Sequence, residues 1–564
     1  MSAILLSCEG VVHLVAPNTV YLNGQIYCVV PRYRYVEAVA VKEGKFVAVG
    51  SNEEIKSLIS QTTEVVDLKG KTVLPGLHDM HIHAYLGSYS TLNECHLPRE
   101  SHKSVTDILE CVRQYAKNNP SKPWIVGVDW QPEIMPYINK SQLDAIDSSR
   151  PIILYDFSHH NAWVNSKALE FAGIDAHTFD PEGGHIHRDE SGEPTGVLIE
   201  LPAIQLVAKH IPKGGEQEHF EAVKWIVNQL NSHGITGIKE PMTDREILKT
   251  YKRLDDENGL HLRVVTNLMY KVPLEISMEE QYSLIEDRKK YASSHIFTDF
   301  AKMFIDGVPA FKTAAFMQPY LGDEDANDNI LVDAEQLKKD LAYLDSMGIT
   351  VKMHAVGDAA IRVGLNAIEA ARAVNGFSGL KHEIAHTTFI HPEDIHRFCA
   401  LDAVAEFSPM MWFPSDFHTQ DKVVIGPERA NGKYSIRSVV DTGALAVYGT
   451  DWPVVPSFNP WPSLEAMVTR QNPYIDYPGT VNASEALDVV QAIELFTING
   501  ARSMYLDNIT GSIQVGKSAD MIVLDRNPLS IPPTDIRNTK VLCTILEGKT
   551  VYEIGADSLS VQLI

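Results

Sequence analysis

LPGLHDMHIHAYLG, residues 74–87, sets Asp79, His81 and His83 at alternate positions directly after an apolar run and a Pro-Gly. In an extended strand successive side chains point to opposite faces, so these three would share one face. Two imidazoles side by side at a strand end make half of a metal site. Histidine is common here, 22 in the chain, and two satisfied core histidines would read the same way locally. The rest of the chain has to decide.

Seven further stretches read as buried parallel strands. They are GITGIKEP (234–241), LRVVTNLMY (262–270), FAKMFIDG (300–307), GITVKMHAVGD (348–358), KHEIAHTTF (381–389), DAVAEFSPMM (402–411) and ALAVYGTDWPV (444–454). Helical patterns such as FEAVKWIVNQLNSHG and AEQLKKDLAYLDSMG lie between several of them. With the strand leading to His81 and His83 the count is eight. The expected fold class is therefore α/β, a (β/α)8 TIM-like barrel over 76–504, whose active site would sit at the C-terminal strand ends.

Both ends of the chain differ in character. Residues 18–75 read as a β-meander, with an Asn23-Gly24 hairpin signal and a second tight turn at Glu43-Gly44. GSIQVGKSADMIVLDRNP and TKVLCTILEGKTVYEIG repeat that pattern near the other end. One small β-sandwich, assembled from 1–75 and 505–564, is the expectation. Between the first two barrel strands lie about 150 residues, far beyond a usual connection. Their varied sequence predicts an ordered insertion, about 86–220, over the barrel mouth.

Composition narrows the partners. The net charge of −24 argues against nucleic acid or an anionic membrane surface, which need a basic footprint. No stretch approaches the roughly 18 apolar residues of a membrane span. The six cysteines are scattered with no CxxC pair, which fits a reducing compartment. MSAILLSCEGVVHLV lacks a basic n-region and carries Glu9 early, so a cytoplasmic location is expected rather than secretion. A small-molecule substrate is the expected partner, with a homodimer left open.

Ligand-type residues recur at the strand ends. The first offers His81 and His83, the fourth Lys302, the fifth His354, the sixth His386 and the eighth Asp451. A polar residue in a buried strand is costly unless satisfied. Several converging on one mouth read as a metal site.

This series resembles the amidohydrolase superfamily, in its amidohydrolase family 3 branch, which includes N-substituted formamide deformylases. VLPGLHDMHIH is similar to the family's opening motif, FSHHNAWVNSKAL and GEPTGVLIE to its insertion motifs, and KMFIDG with KTAAFMQPY to its fourth-strand segment. MHAVGDAAI, YGTDWPV and GSIQVGKSADMIVLD follow in the family's order. One departure stands out: the sixth-strand motif usually has Glu before the ligand His, and here it reads Ala385-His386.

The resemblance implies that His81, His83 and Asp451 hold one divalent metal and that His354 and His386 hold a second. Lys302, as a carbamate, would bridge them; the alternative is a lysine turned aside to pair with Asp306 or Glu240, beside a single ion. Zn²⁺ is the expected ion, by ligand type as well, with Mn²⁺, Fe²⁺ and Ni²⁺ left open. A bound metal lowers the pKa of water from 15.7 toward about 7. The implied reaction is attack of that hydroxide on an amide or formamide, with Asp451 as catalytic proton shuttle to the leaving amine. His160 and Trp163, in the insertion motif, would line the substrate pocket, with core packing the equal alternative for Trp163. Asp79 would orient the histidines or simply end its strand; Arg188 and Glu200 read as structural, and HIHR (185–188) as a turn rather than a second metal site. The alternatives are a lactone or ester hydrolase on the same metal site and a non-catalytic scaffold, which would have lost ligands.

Overall fold

The computed structural model describes residues 16–30, 35–97, 104–156, 161–181, 184–212, 214–272, 276–323, 329–474, 477–555 and 560–563. By chain contacts these divide into one unit of 1–83 with 226–564 and a second, the insertion, of 84–225.

Eight parallel strands form the barrel. They are Leu77–Asp79, Ile235–Thr243, Arg263–Met269, Ile296–Phe304, Thr350–Ala355, Glu383–His386, Val404–Phe407 and Ala446–Tyr448, each bonded to its sequence neighbour. The first and last are joined just past their ends, where the Met80 amide donates to the Tyr448 carbonyl at 2.8 Å. The helices follow from local chemistry. Before Ala334–Ser346 the Asp333 carboxylate accepts the Gln336 amide, and Leu337, Leu341 and Leu344, at helical spacing, are buried. Gly348, at φ +74°, then turns the chain into the fifth strand.

The first strand is shorter than its sequence implies. Extended structure stops at Asp79, so His81 and His83 do not alternate along a strand but lie in the turn beyond it. Asp79 causes this. Its buried carboxylate accepts the His81 amide at 3.1 Å and the Thr450 amide at 3.0 Å, turning the chain and fixing it to the segment after the eighth strand.

The end segments build two facing sheets. One holds Thr19–Leu22, Ala38–Lys42, Lys45–Gly50, Glu64–Asp67 and Ser560–Leu563; the other holds Gln25–Tyr27, Tyr35–Val36, Thr72–Pro75, Met521–Leu524, Val541–Leu546 and Lys549–Glu553. Val39, Val41 and Val66 of the first share a core with Val73, Val523 and Ile545 of the second. Glu43-Gly44 is the hairpin turn expected. Asn23-Gly24 is not: its flanking strands belong to different sheets, and the turn carries the chain across the sandwich. A Cβ on Gly24 would lie 2.6 Å from Leu68 Cδ1, so a larger residue there would displace that buried side chain.

The insertion has its own six-stranded sheet, from Cys95–His96 to Pro194–Ile199 in sequence. Ile152, Leu154, Trp130 and Trp163 pack in its core. Among the described residues no helix is long and apolar enough to cross a membrane.

Candidate metal centre

Five strand ends bring the candidate ligands together. The Asp451 amide donates to the His81 carbonyl at 2.6 Å and the His83 amide to the Trp452 carbonyl at 2.9 Å, so the segments after the first and eighth strands are laced together. Asp451 Oδ1 then stands 3.4 Å from Nε2 of His81 and 3.4 Å from Nε2 of His83. A tetrahedral ion with bonds of about 2.0–2.1 Å separates its ligand atoms by about 3.3–3.4 Å. Both distances match that separation, the ligand atoms of the three residues all lie within 4.8 Å of one another, and the two contacts are too long for strong direct hydrogen bonds.

His386 and His354 extend the cluster. Their rings lie 4.5 Å apart between centroids, and His386 is 4.7 Å from the ring of His81. His354 Nε2 is 3.2 Å from the Gly307 carbonyl, which makes that nitrogen the donor and leaves the Nδ1 lone pair open. Burial pushes the imidazoles of His81 and His386 well below their usual range, and that of His354 down to about 3, with nearby cations adding to the effect. Neutral imidazoles are the form that ligates a metal.

Two of these residues hold rare backbone conformations. His386 sits at φ +71° and Asp451 at φ +65°, a region L-residues seldom occupy. Such strain persists only where neighbours over-determine it, and it concentrates at functional sites. For Asp451 the fixing bond is its amide to His81; after His386, the Thr387 hydroxyl donates to the carbonyls of Ile384 and Glu406.

Lys302 is 1% exposed, its amine 4.8 Å from the centre of the Phe304 ring. Burial and the Lys352 charge push its ammonium down to about 7 against the pull of Glu406 and Asp451. It does not pair with Asp306, whose carboxylate instead accepts the amides of Ala315, Val356 and Gly357. Glu240 accepts from the Tyr251 hydroxyl.

Of the residues proposed to meet substrate, His160 lies outside the described residues. Trp163 takes the packing alternative. It has no exposed surface, its indole N–H donates to the Asn139 carbonyl at 3.0 Å, and it packs in the insertion's core. The Asn139 bond satisfies the one polar atom of a ring that otherwise fills space. In HIHR, His185 pairs with Asp180 and His187 with Thr195, while Arg188 clamps the carbonyls of Asp175 and Gly192.

Sequence reasoning passed over Glu406, Glu383 and Lys352, all fully buried within the barrel. Glu406 Oε2 is 2.5 Å from His81 Nδ1, and the site's cluster of potential ligands includes it with His81 and His386. The available signal was a charged residue inside each of the apolar runs VKM, HEI and AEF. Ala385 is fully buried and brings no polar side chain, so the carboxylates of this layer come from Glu383 and Glu406.

Residues 64–552 match the amidohydrolase family. The chain belongs to that family. Among relatives, this amidohydrolase is 28% identical to YtcJ of Bacillus subtilis (strain 168) over 95% of its own length and 99% of YtcJ. It is 26% identical to the N-substituted formamide deformylase of Arthrobacter pascens, over 94% of its own length and 98% of that enzyme. Its fold matches the crystal structure of an uncharacterized metal-dependent hydrolase from Pyrococcus horikoshii OT3, with a TM-score of 0.74 and 22% identity over 91% of this chain and 99% of that one.

Proposed function

We propose that this amidohydrolase is a metal-dependent enzyme that hydrolyses a C–N bond in a small amide or formamide. The observation that carries the reading is the equal 3.4 Å spacing of Asp451 Oδ1 from His81 Nε2 and His83 Nε2, which fits one cation held by three ligands. The full-length similarity to a formamide deformylase supports the bond type. When bound, a divalent metal supplies a Lewis acid and a water acidic enough to ionise near neutral pH. Nitrogen and oxygen donors suit Zn²⁺.

The chain's own residues supply the rest. His81 and His83 present ring nitrogens; Asp451 contributes Oδ1 to the ligand set and holds the transferred proton at Oδ2. From there the proton passes to the departing nitrogen, which leaves as a neutral amine. His354 and His386 provide a second nitrogen pair.

Lys302 is the residue to carry a carbamate between the two sets. Its neutral amine attacks CO₂, an N–C bond forms, one proton is released, and the product is an anionic oxygen donor. The other buried lysines of the barrel interior are unsuited, because Lys239 is paired with Glu383 and Lys352 with both Glu383 and Glu406. Among the described residues no carboxylate stands within ion-pair reach of Lys302. The free thiols of Cys28, Cys95, Cys111, Cys399 and Cys543 support a place in the cytoplasm.

The test is hydrolysis by zinc-loaded protein of a panel of N-substituted formamides, acyl amides and lactones. Release of amine from the first two classes supports the reading. Turnover of lactones alone would replace it with ester chemistry.

A further inference from the structure

The interior of an eight-stranded barrel is ordinarily packed with branched apolar side chains. Here four charged residues from four strands fill part of it: Lys239, Lys352, Glu383 and Glu406, none with more than a trace of exposed surface. The set is neutral, two cations and two anions. Lys239 pairs with Glu383 and donates to the Ser503 carbonyl at 2.9 Å. Lys352 donates to Glu406 Oε2 at 3.0 Å and to the Met80 carbonyl at 2.5 Å. It also faces Glu383 Oε2 at 3.1 Å, an ion-pair contact out of line for a hydrogen bond. A buried charged chain of this kind is weak as a source of stability, since desolvation offsets most of the attraction. Its presence calls for another role.

That role is visible at the end of the chain. Glu406 Oε2 lies 2.5 Å from His81 Nδ1. Two oxygen and nitrogen ligands of one ion stand about 3.3 Å apart when bonds are about 2.0–2.1 Å. At 2.5 Å the contact is a hydrogen bond instead, with His81 Nδ1–H as donor. Lys352 meanwhile holds the carbonyl of the preceding residue, Met80, so one ammonium fixes both the main chain and the side-chain partner of His81. Asp79 holds the His81 amide from the other side.

We propose that Lys352 and Glu406 are positioning residues for the metal centre, built to lock His81 in the Nδ1–H tautomer with its Nε2 lone pair aimed at the Asp451 side of the site. Glu383 and Lys239 complete the set by keeping the interior neutral. The inference rests on the reading of His81 as a metal ligand. A carboxylate on the far nitrogen fixes an imidazole's orientation and raises its basicity, and removing one typically costs 10–100-fold in metal affinity.

The experiment is zinc titration of chelator-stripped protein against a chromophoric competitor, for wild type, Glu406→Gln, and the double variant Lys352→Met with Glu406→Gln. The double change removes one charge of each sign and leaves Lys239 paired with Glu383. We expect its thermal transition to recover relative to Glu406→Gln, while both variants bind zinc about 10–100-fold more weakly than wild type. A folded double variant with wild-type zinc affinity would overturn the proposal. Nitrogen-15 spectra of histidine-labelled, metal-free wild type give a second readout that needs no barrel variant. With His81 assigned by its loss in His81→Gln, a proton on Nδ1 supports the proposal. A proton on Nε2 overturns it and reassigns Glu406 as a ligand. If wild type takes up no zinc, the ligand reading falls, and the tautomer still decides whether Glu406 orders this ring.

Discussion

Asp451 and His81 meet twice: the Asp451 amide donates to the His81 carbonyl at 2.6 Å, and Asp451 Oδ1 stands 3.4 Å from His81 Nε2. The first contact sets the second. By tying the two main chains together past the ends of the first and eighth strands, the barrel closes and the ligand spacing is fixed in one step.

Asp451→Asn keeps the size of the side chain and removes both the anionic ligand and the proton acceptor. kcat should fall by at least the roughly 10²–10⁴-fold typical of losing a general base. The thermal transition of the bulk of the chain should be retained. Steady-state rates and calorimetry on the same preparation check this, and near wild-type kcat would move the proton shuttle to another residue.

Gly449→Ala tests the closure itself. A Cβ there would lie 2.4 Å from His81 Cβ and 2.9 Å from the His81 amide nitrogen, so the histidine must shift. Overpacking of this kind costs about 1–3 kcal/mol. The expected outcome is a lower unfolding midpoint together with weaker metal retention on dialysis. Unchanged metal content would show that His81 tolerates displacement.

Lys302 should carry one added CO₂. High-resolution density should show three extra atoms on its nitrogen, and Lys302→Ala should lose metal and activity. Short carboxylic acids with added metal should partly restore both. A plain lysine beside a fully loaded, active site would refute the carbamate.

How much of this was legible in the sequence follows from where each residue gets its neighbours. The eight strands were readable because each is a short apolar run followed by a polar end, a pattern that parallel strands buried on both faces require. His83, His354, His386 and Asp451 were legible as candidate ligands because they lie just where such runs stop. The turn at Asp79 was not, because it depends on Thr450, more than 300 positions away. The crossing at Asn23-Gly24 looks locally like any hairpin, and only the partner strands far along the chain separate the two. Trp163 shows the same limit from the other side: its motif left substrate contact and packing both open, and only the partners in the insertion's own core separate the two. Lys352, Glu383 and Glu406 carried a signal that went unused, since a lone charge inside a buried strand implies partners on the neighbouring strands.

Acid should destabilise the metal-free protein before most carboxylates protonate. His78 is buried against Gly237 and Gly500, and burial pushes its imidazole down to about 4, partly offset by its bond to the Thr497 carbonyl. The unfolded chain, with a histidine near 6.5, binds more protons between pH 4 and 6.5, so stability rises with pH through that window and is lost as pH falls. The single group accounts for at most about 3 kcal/mol. Urea midpoints measured from pH 7 to 4.5 should drop more steeply for wild type than for His78→Leu. Equal slopes would contradict the assignment.

The most direct test of the whole account is metal analysis of the purified protein, paired with amide or formamide hydrolysis before chelation, after chelation and after metal return. We expect bound divalent metal, hydrolysis abolished with its removal, and both restored by Zn²⁺. Undiminished hydrolysis by protein stripped of metal, or a metal-free chain with no hydrolysis across the panel even after Zn²⁺ is supplied, would contradict it.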